Sequence, residues 1–248
     1  MTLEQFFAEN REVAIAFSGG VDSAYLLYAA TRYAARVKAY YVSTAFQPAF
    51  ELEDARRLAD ELGADMLVLH VDVLSNSAVT ANPSDRCYHC KNTLFRQILR
   101  AAENDGFPVL LDGTNASDDA GDRPGMRALR ELSVRSPLRE CGLTKAEIRR
   151  LSREAGLFTW DKPAYACLST RIRTGEEITL QKLKQTEKAE GFLFGLGFRD
   201  FRVRMVDNTA KLELRETDLP LLLENREKIV TELRKDYDSV LLNLEVRK

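Results

Sequence analysis

This chain has very few histidines and no large excess of positive or negative charge. Two of its 248 residues are histidine, and its 36 lysines and arginines nearly offset 38 aspartates and glutamates. Chemistry centred on histidine as the acid or base is therefore a poor explanation for its function. The small net charge gives no indication of a nucleic-acid or membrane surface. No apolar stretch approaches the length of a membrane span.

Cysteine is also scarce, with four residues in the chain. An acid, Glu4, lies near the start, where a secretory signal needs basic residues, so we expect a cytoplasmic protein. In that reducing compartment, four cysteines favour catalytic or metal-binding roles over a disulfide framework. The length allows one large domain, or a medium domain with a smaller one.

The most informative motif is a glycine turn that follows the apolar run 13–17. Its sequence is Ser18-Gly19-Gly20-Val21-Asp22-Ser23. The motif predicts a strand, a tight turn and the N-terminus of a helix. The backbone N–H groups at a helix N-terminus are unpaired, so this position favours binding of an anion. Gly19 and Gly20 let the backbone approach a phosphate, whereas Asp22 needs a divalent cation between itself and the phosphate. The turn has neither the lysine of a Walker motif nor the glycine spacing of a dinucleotide fold.

Short apolar runs alternate with helical patterns over the first part of the chain. Strands are predicted at 13–17, 37–43, 66–71 and 108–112, and helices at 22–35, 51–62, 87–105, 125–132 and 144–155. The alternation predicts an α/β fold, a parallel sheet with helices on both faces. Ligands of such sheets bind at the carboxyl ends of the strands, where the glycine turn falls.

The pattern changes after residue 160. The expected elements are a helix at 179–195, strands at 201–206 and 210–214, a helix at 219–234 and a strand at 239–246. The polar turn between the two alternating runs favours a hairpin. We therefore predict a nucleotide domain at 1–172 and a small α+β domain at 173–248 that serves substrate binding or oligomerisation.

A second polar loop, Asp112-Gly113-Thr114-Asn115, follows the fourth predicted strand. It faces the same crevice as the glycine turn, so Asp112 and Asp22 can share Mg²⁺. Further along, Arg123 or Arg127 can hold phosphate. The alternative interpretation is a solvated acidic turn.

Two cysteines stand near the start of a predicted helix. Cys87 and Cys90 share one helical face, and Lys91 adds a positive charge beside them. Asp85 is a suitable N-cap. Two thiols suit metal, cluster or redox chemistry, although Zn²⁺ needs four ligands. Cys167 adds a third thiol, and three thiolates leave one position of a cluster open for sulfide. An inert buried thiol is the alternative for Cys167.

Arg202 and Arg204 alternate along a predicted strand and therefore lie on one of its faces. Two adjacent guanidinium groups repel, so they either fan into solvent or bracket an anion such as phosphate or carboxylate. Glu190 is suited to orient one of them. The alternative is a set of surface salt bridges, for example to Glu213 on the paired strand.

In combination, these motifs resemble one family, the LarE sulfur transferases of the PP-loop ATP pyrophosphatase superfamily. The matching segments are the glycine turn, 82–91, 112–115, 123–125, 135–138, 162–172 and 201–204. The resemblance implies ATP and Mg²⁺ as cofactors. It also assigns nucleotide binding, beyond the glycine turn, to Gly113, Asn115, Arg123 and Arg135.

The resemblance further implies adenylation of a carboxylate of pyridinium-3,5-biscarboxylic acid mononucleotide, with release of pyrophosphate. Sulfur then displaces AMP, in nickel-pincer-nucleotide synthesis. Family members either sacrifice the sulfur of one cysteine or hold a [4Fe-4S] cluster, and this chain resembles the cluster type, with Cys87, Cys90 and Cys167 as ligands. Arg171 would hold the acyl adenylate near the sulfur. The implied substrate-binding residues are Glu190, Arg202 and Arg204.

Other functions share the glycine turn. An amidating enzyme of the NAD-synthetase type uses ammonia and does not need three cysteines. A tRNA-thiolating enzyme needs a basic face or an RNA-binding appendage, which composition and length do not supply. A nucleotide-binding regulator would not release pyrophosphate. We expect a small nucleotide substrate and sulfide or another sulfur donor as partners, and no membrane or nucleic acid. A homo-oligomer is compatible with the sequence.

Overall fold

The computed structural model describes residues 1–118 and 124–247, which form two compact units. The first comprises Met1–Val73 and Asp85–Tyr165, and the second comprises Leu74–Ser84 and the chain from Ala166 onward. Each has a sheet and an apolar core of its own. Cys167 thus belongs to the second unit. The separate functions given to 1–172 and 173–248 stay predictions.

The sheet of the first unit has four parallel strands in the order β3-β2-β1-β4. They are β1 (Glu12–Phe17), β2 (Arg36–Ser43), β3 (Asp65–His70) and β4 (Val109–Leu111). The predicted α/β fold with a parallel sheet is confirmed. Since β1 pairs with β2 on one side and β4 on the other, the strand order reverses beside β1. A ligand crevice opens at such a switch point, at the carboxyl ends of the strands.

Helices connect the strands and form most of the remainder. They are α1 (Leu3–Glu9), α2 (Val21–Tyr33), α3 (Ala49–Leu62), α4 (Ser77–Thr80), α5 (Arg86–Asn104), α6 (Pro124–Glu131), α7 (Pro137–Glu140), α8 (Lys145–Glu154), α9 (Leu180–Gly195), α10 (Leu219–Glu224) and α11 (Arg226–Leu233). None of the helices in the described ranges combines the length and the apolar character that crossing a bilayer requires.

Both faces of the first sheet are covered by helices. Val13 and Ile15 of β1 are buried in one apolar cluster with residues of α1, α2 and α3. Ala14, which points the other way, is buried in a second cluster with Ile98 and Ala102 of α5. This double burial explains why β1 is continuously apolar in sequence.

The sheet of the second unit has three strands, β5 (Arg202–Val206), β6 (Thr209–Glu213) and β7 (Ser239–Leu242). β5 and β6 form the predicted antiparallel hairpin, and β7 adds parallel to β6. The buried residues Leu193, Phe198 and Phe201 pack on this sheet from α9 and the segment after it. The predicted strand 239–246 is too long, because Asn243 ends the apolar run and asparagine is unfavourable in strands.

The predicted helix 219–234 is wrong in its continuity, since α10 ends before Asn225 and α11 begins after it. The Asn225 side chain is buried, and its Nδ2 donates to the carbonyl of Leu221 at 3.1 Å. An asparagine side chain that bonds the local backbone competes with the helical pattern, which accounts for the break.

Candidate functional site

The glycine turn joins β1 to α2, and its shape requires glycine at position 19. Gly19 has a φ of +72°, and a β-carbon there would lie 3.2 Å from Cβ of Ala55. Ser23 stabilises the turn through its hydroxyl, which donates to the Gly20 carbonyl at 3.1 Å and lies 3.0 Å from the Ser18 hydroxyl. No side chain caps α2 at Gly20. The start of this helix therefore suits an anion.

The loop after β4 packs directly against the start of α2. A β-carbon on Gly113 would lie 2.9 Å from the backbone nitrogen of Ser23 and 3.2 Å from its Cα, so only glycine permits this approach. Asn115 donates from Nδ2 to Oδ1 of Asp22 at 3.3 Å. The structure thus brings together the two loops that were predicted to share one crevice.

A cavity of about 330 Å³ lies at these loops. It is lined by Ala16, Ser18, Gly20, Asp22, Ser23, Lys91, Phe95, Asp112, Gly113, Thr114 and Asp118. Most of the predicted nucleotide-binding residues of the two loops are among them. Its size and the polar side chains among its lining residues suit a phosphate chain, and we call it the nucleotide cavity.

Two carboxylates of the nucleotide cavity differ in their partners. Oδ2 of Asp22 accepts from the Lys145 ammonium at 2.6 Å. Asp112, only 5% exposed, accepts from the hydroxyls of Thr114 and Ser136 at 2.5 and 2.6 Å. Mg²⁺ is usually bound by one or two carboxylates together with substrate phosphates, and this pair fits that pattern. In the described part of the chain, no three His, Cys, Asp or Glu side chains are gathered as a metal site.

Lys145 contacts this site and is not predicted by the sequence analysis. It is the first residue of α8, whose start is fixed by a reciprocal capping box of Thr144 and Glu147. The capping box indicates where the helix begins. No local signal shows that the ammonium meets Asp22, which lies 123 positions earlier in the chain.

The predicted phosphate-binding arginines have other surroundings. The Arg135 guanidinium contacts Glu140, donates to Oδ1 of Asn10 at 3.1 Å and lies over the ring of Phe6. Its backbone extends the sheet beside β4. Arg123 lies outside the described residues. The nucleotide-binding role of Arg135 stays a prediction.

Cys87 and Cys90 lie in the first turns of α5, as predicted, and none of the four cysteines forms a disulfide. Cys87 is exposed. Lys91, one helical turn after Cys87 on the same stripe, lines the nucleotide cavity together with Phe95. The helix that carries the thiol pair is therefore also a wall of the nucleotide cavity.

Asp85 occupies the N-cap position of this helix, as predicted, but its side chain does not cap it. Asp85 has φ −97° and ψ 15°, which is not the extended geometry of a capping residue, and its side chain makes no capping bond. Its carboxylate instead lies 3.4 Å from Nε2 of His89, one turn into the helix.

In the second unit, Cys167 immediately precedes a short 3₁₀ turn that ends at Arg171. Arg171 is 1% exposed, and its Nε and Nη2 donate to the two carboxylate oxygens of Glu190 at 2.7 and 3.1 Å. Its Nη1 donates to the carbonyl of Ala166 at 3.0 Å. The buried ion pair thus fixes the peptide that leads into Cys167.

Arg202 and Arg204 occupy different environments on β5. Arg204 donates to Glu213 at 2.7 Å, the salt bridge that the alternative interpretation names. Burial, with the nearby charges of Arg171 and Arg247, lowers the pKa of Arg202 to about 10. The catalytic role of Arg171 and the substrate-binding roles of Glu190, Arg202 and Arg204 stay predictions.

We expect Glu190→Ala to lower the free energy of unfolding by about 3–5 kcal/mol, because it leaves the buried Arg171 charge without its carboxylate. The control is Glu154→Ala, which removes one partner of an exposed pair with Arg150 and is expected to cost under about 1 kcal/mol. Urea denaturation measures both. Equal costs would contradict a buried pair at Glu190.

Gly113→Ala is expected to destabilise the protein by about 1–3 kcal/mol and to weaken ATP binding, since the new methyl group must displace the start of α2. Gly191→Ala is the matched control, because a β-carbon there meets nothing within 4 Å. In helix α9 that change should stabilise by up to about 1 kcal/mol. Thermal melting and ATP titration test the pair, and similar behaviour of the two variants would refute the close approach at Gly113.

The fold and the two loops define the class of this protein, a PP-loop domain of the ATP-using α/β type. The asparagine synthase family model matches residues 4–118, which include the glycine turn and the loop after β4. The chain is 34% identical over 217 residues to pyridinium-3,5-bisthiocarboxylic acid mononucleotide synthase of Lactiplantibacillus plantarum, covering 87% of this chain and 79% of that protein. The chain belongs to the LarE family of PP-loop sulfur transferases.

Two further relatives are similar along most of their length. An uncharacterised protein of Synechocystis is 40% identical over 215 residues, which are 86% of this chain and 80% of that protein. An uncharacterised protein of Methanocaldococcus jannaschii is 30% identical over 240 residues, which are 96% and 91% of the two chains. The likeness therefore extends well beyond the segment that the family model matches.

Proposed function

We propose that the protein uses ATP to adenylate a carboxylate of pyridinium-3,5-biscarboxylic acid mononucleotide and then inserts sulfur, in nickel-pincer-nucleotide synthesis. The observation that carries this proposal is the position of Cys87 on α5, one turn from a residue that lines the nucleotide cavity. Thiol chemistry and nucleotide chemistry thus share one helix. The relative from L. plantarum, named for a bisthiocarboxylic acid product, supports the same reaction.

In the first step, a substrate carboxylate oxygen bonds to the α-phosphorus of ATP and pyrophosphate leaves with the electron pair of the broken P–O bond. The glycine turn holds the phosphate chain through its backbone N–H groups and the hydroxyls of Ser18 and Ser23. Asp22 and Asp112 would hold Mg²⁺, which, when bound, neutralises charge on the leaving pyrophosphate.

In the second step, a sulfur nucleophile bonds to the acyl carbon, and AMP leaves with the electron pair of the C–O bond. Arg202 and Arg204 bind the anionic groups of the pyridinium substrate. Arg171, buried and bonded to Glu190 and to the Ala166 carbonyl, acts by positioning Cys167.

We further propose that Cys87, Cys90 and Cys167 are the ligands of a [4Fe-4S] cluster. None of the three cysteines forms a disulfide, which supports this assignment and also supports a cytoplasmic location. Such a cluster, when bound, supplies an iron with one position left for sulfide. The competing route takes the sulfur from Cys167 itself and leaves dehydroalanine.

Asp22→Ala is expected to slow substrate-dependent pyrophosphate release by about a hundredfold or more, because the leaving group loses its metal clamp. Asp60→Ala, which removes an exposed carboxylate of α3, should leave the rate unchanged. A coupled pyrophosphate assay measures both variants. Turnover of a folded Asp22→Ala protein at the unaltered rate would refute the assigned role of this carboxylate.

Anaerobically reconstituted protein should bind about four irons per chain and lose them when Cys87, Cys90 or Cys167 is changed to Ala. Cys141→Ala is the control and should keep them, while adenylation should survive in all four variants. The measurements are the iron content of each variant and the mass of the product, which should be that of a thiocarboxylate and not that of an amide. A Cys87→Ala protein with normal sulfur transfer and a mass loss of H₂S confined to Cys167 would instead establish the sacrificial route.

A further inference from the structure

We propose that Lys91, from the helix that carries the thiol pair, binds the phosphate chain of ATP at its pyrophosphate end. The proposal rests on the adenylating activity given above but not on the sulfur chemistry or on the pyridinium substrate. In sequence, Lys91 is only a charge beside two cysteines. In the structure it belongs to the nucleotide cavity.

The position of Lys91 on α5 directs it to the nucleotide cavity. Lys91 and Phe95 are one turn apart, and both line the cavity that also contains Ser18, Gly20 and Ser23 of the glycine turn. Since the glycine turn is the part of the site shaped for phosphate, a cation in the same cavity lies where the pyrophosphate end of ATP is expected.

The nucleotide cavity has more negative than positive side chains, so the Lys91 ammonium is needed to offset their charge. Three of its lining residues are carboxylates, Asp22, Asp112 and Asp118, while Lys91 is the sole cationic side chain among the described lining residues. Lys145, nearby, already pairs with Asp22 at 2.6 Å. Lys91 forms no salt bridge within residues 1–118 and 124–247. A triphosphate beside several carboxylates requires positive charge, and Lys91 supplies it together with Mg²⁺.

The start of α6 is shaped around the Lys91 side chain. A β-carbon on Gly125, a buried residue, would lie 3.2 Å from both Cδ and Cε of Lys91. The aliphatic stem thus packs on bare backbone, which restricts its freedom and reduces the entropy lost when the ammonium binds a phosphate.

The test compares Lys91→Met, which keeps an apolar stem of similar length, with Lys91→Arg and with the control Arg96→Met. Arg96 is exposed on the same helix, so its loss matches the change in net charge. Binding of ATP and of AMP, each with Mg²⁺, is measured by calorimetry without pyridinium substrate or sulfur donor. A failure of sulfur transfer therefore cannot be confused with a failure of this proposal.

We expect Lys91→Met to weaken ATP binding about 10- to 100-fold, as for the loss of one charge-assisted hydrogen bond, with AMP affinity within about twofold of the unaltered protein. Lys91→Arg should restore most of the ATP affinity, and Arg96→Met should have no effect. Unchanged ATP affinity in Lys91→Met, or equal losses for ATP and AMP, would overturn the proposal. If Lys91→Met does not fold, Lys91→Gln replaces it with the same expectations.

Discussion

The nucleotide cavity depends on one close contact, the packing of Gly113 against the backbone of Ser23. The contact follows from the sheet register. Ile15 of β1 lies beside Leu111 of β4, so the segments that follow these two strands begin side by side at the same edge of the sheet. Both loops then turn into the same space, and any side chain at position 113 would separate them. Widening this contact would move Asp112 away from Asp22 and so separate the two carboxylates that we propose share Mg²⁺.

Electrostatics decides what the nucleotide cavity can hold. Its carboxylates repel phosphate, and the protein offsets them unevenly, since Lys145 neutralises Asp22 while Asp112 accepts from two neutral hydroxyl groups and from the backbone N–H of Thr114. An anionic nucleotide therefore needs added positive charge, and the proposed sources are a metal ion and Lys91. This requirement links nucleotide binding to α5 and so to the helix of Cys87 and Cys90.

The sequence allowed prediction of those parts that depend on local patterns. The strands of the first sheet, the glycine turn and the loop at Asp112 all have signatures in residue order, and each was located correctly. Lys145 and the Arg171–Glu190 pair have no such signature, because their partners are brought near only by tertiary folding. The helix break at Asn225 is not predicted for another reason. An asparagine within an apolar helical pattern interrupts the helix only where its side chain bonds the backbone, and the sequence pattern does not show that bond. Asp85 stands at the predicted N-cap position, but its carboxylate lies beside His89 instead of bonding the helix backbone.

In the second unit, the charge of Arg202 is held at a cost in stability. Burial and the charges of Arg171 and Arg247 disfavour the protonated Arg202, which is why its pKa falls to about 10, although it stays charged at neutral pH. Glu190 and Asp200 act in the opposite direction and keep the cluster tolerable. A phosphate or carboxylate bound beside Arg202 would relieve the remaining repulsion, so the folded unit gains more from an anion there than an isolated surface arginine would. Because Glu190 also holds Arg171, and Arg171 holds the peptide before Cys167, the electrostatic environment of Arg202 and the position of Cys167 depend on the same buried carboxylate.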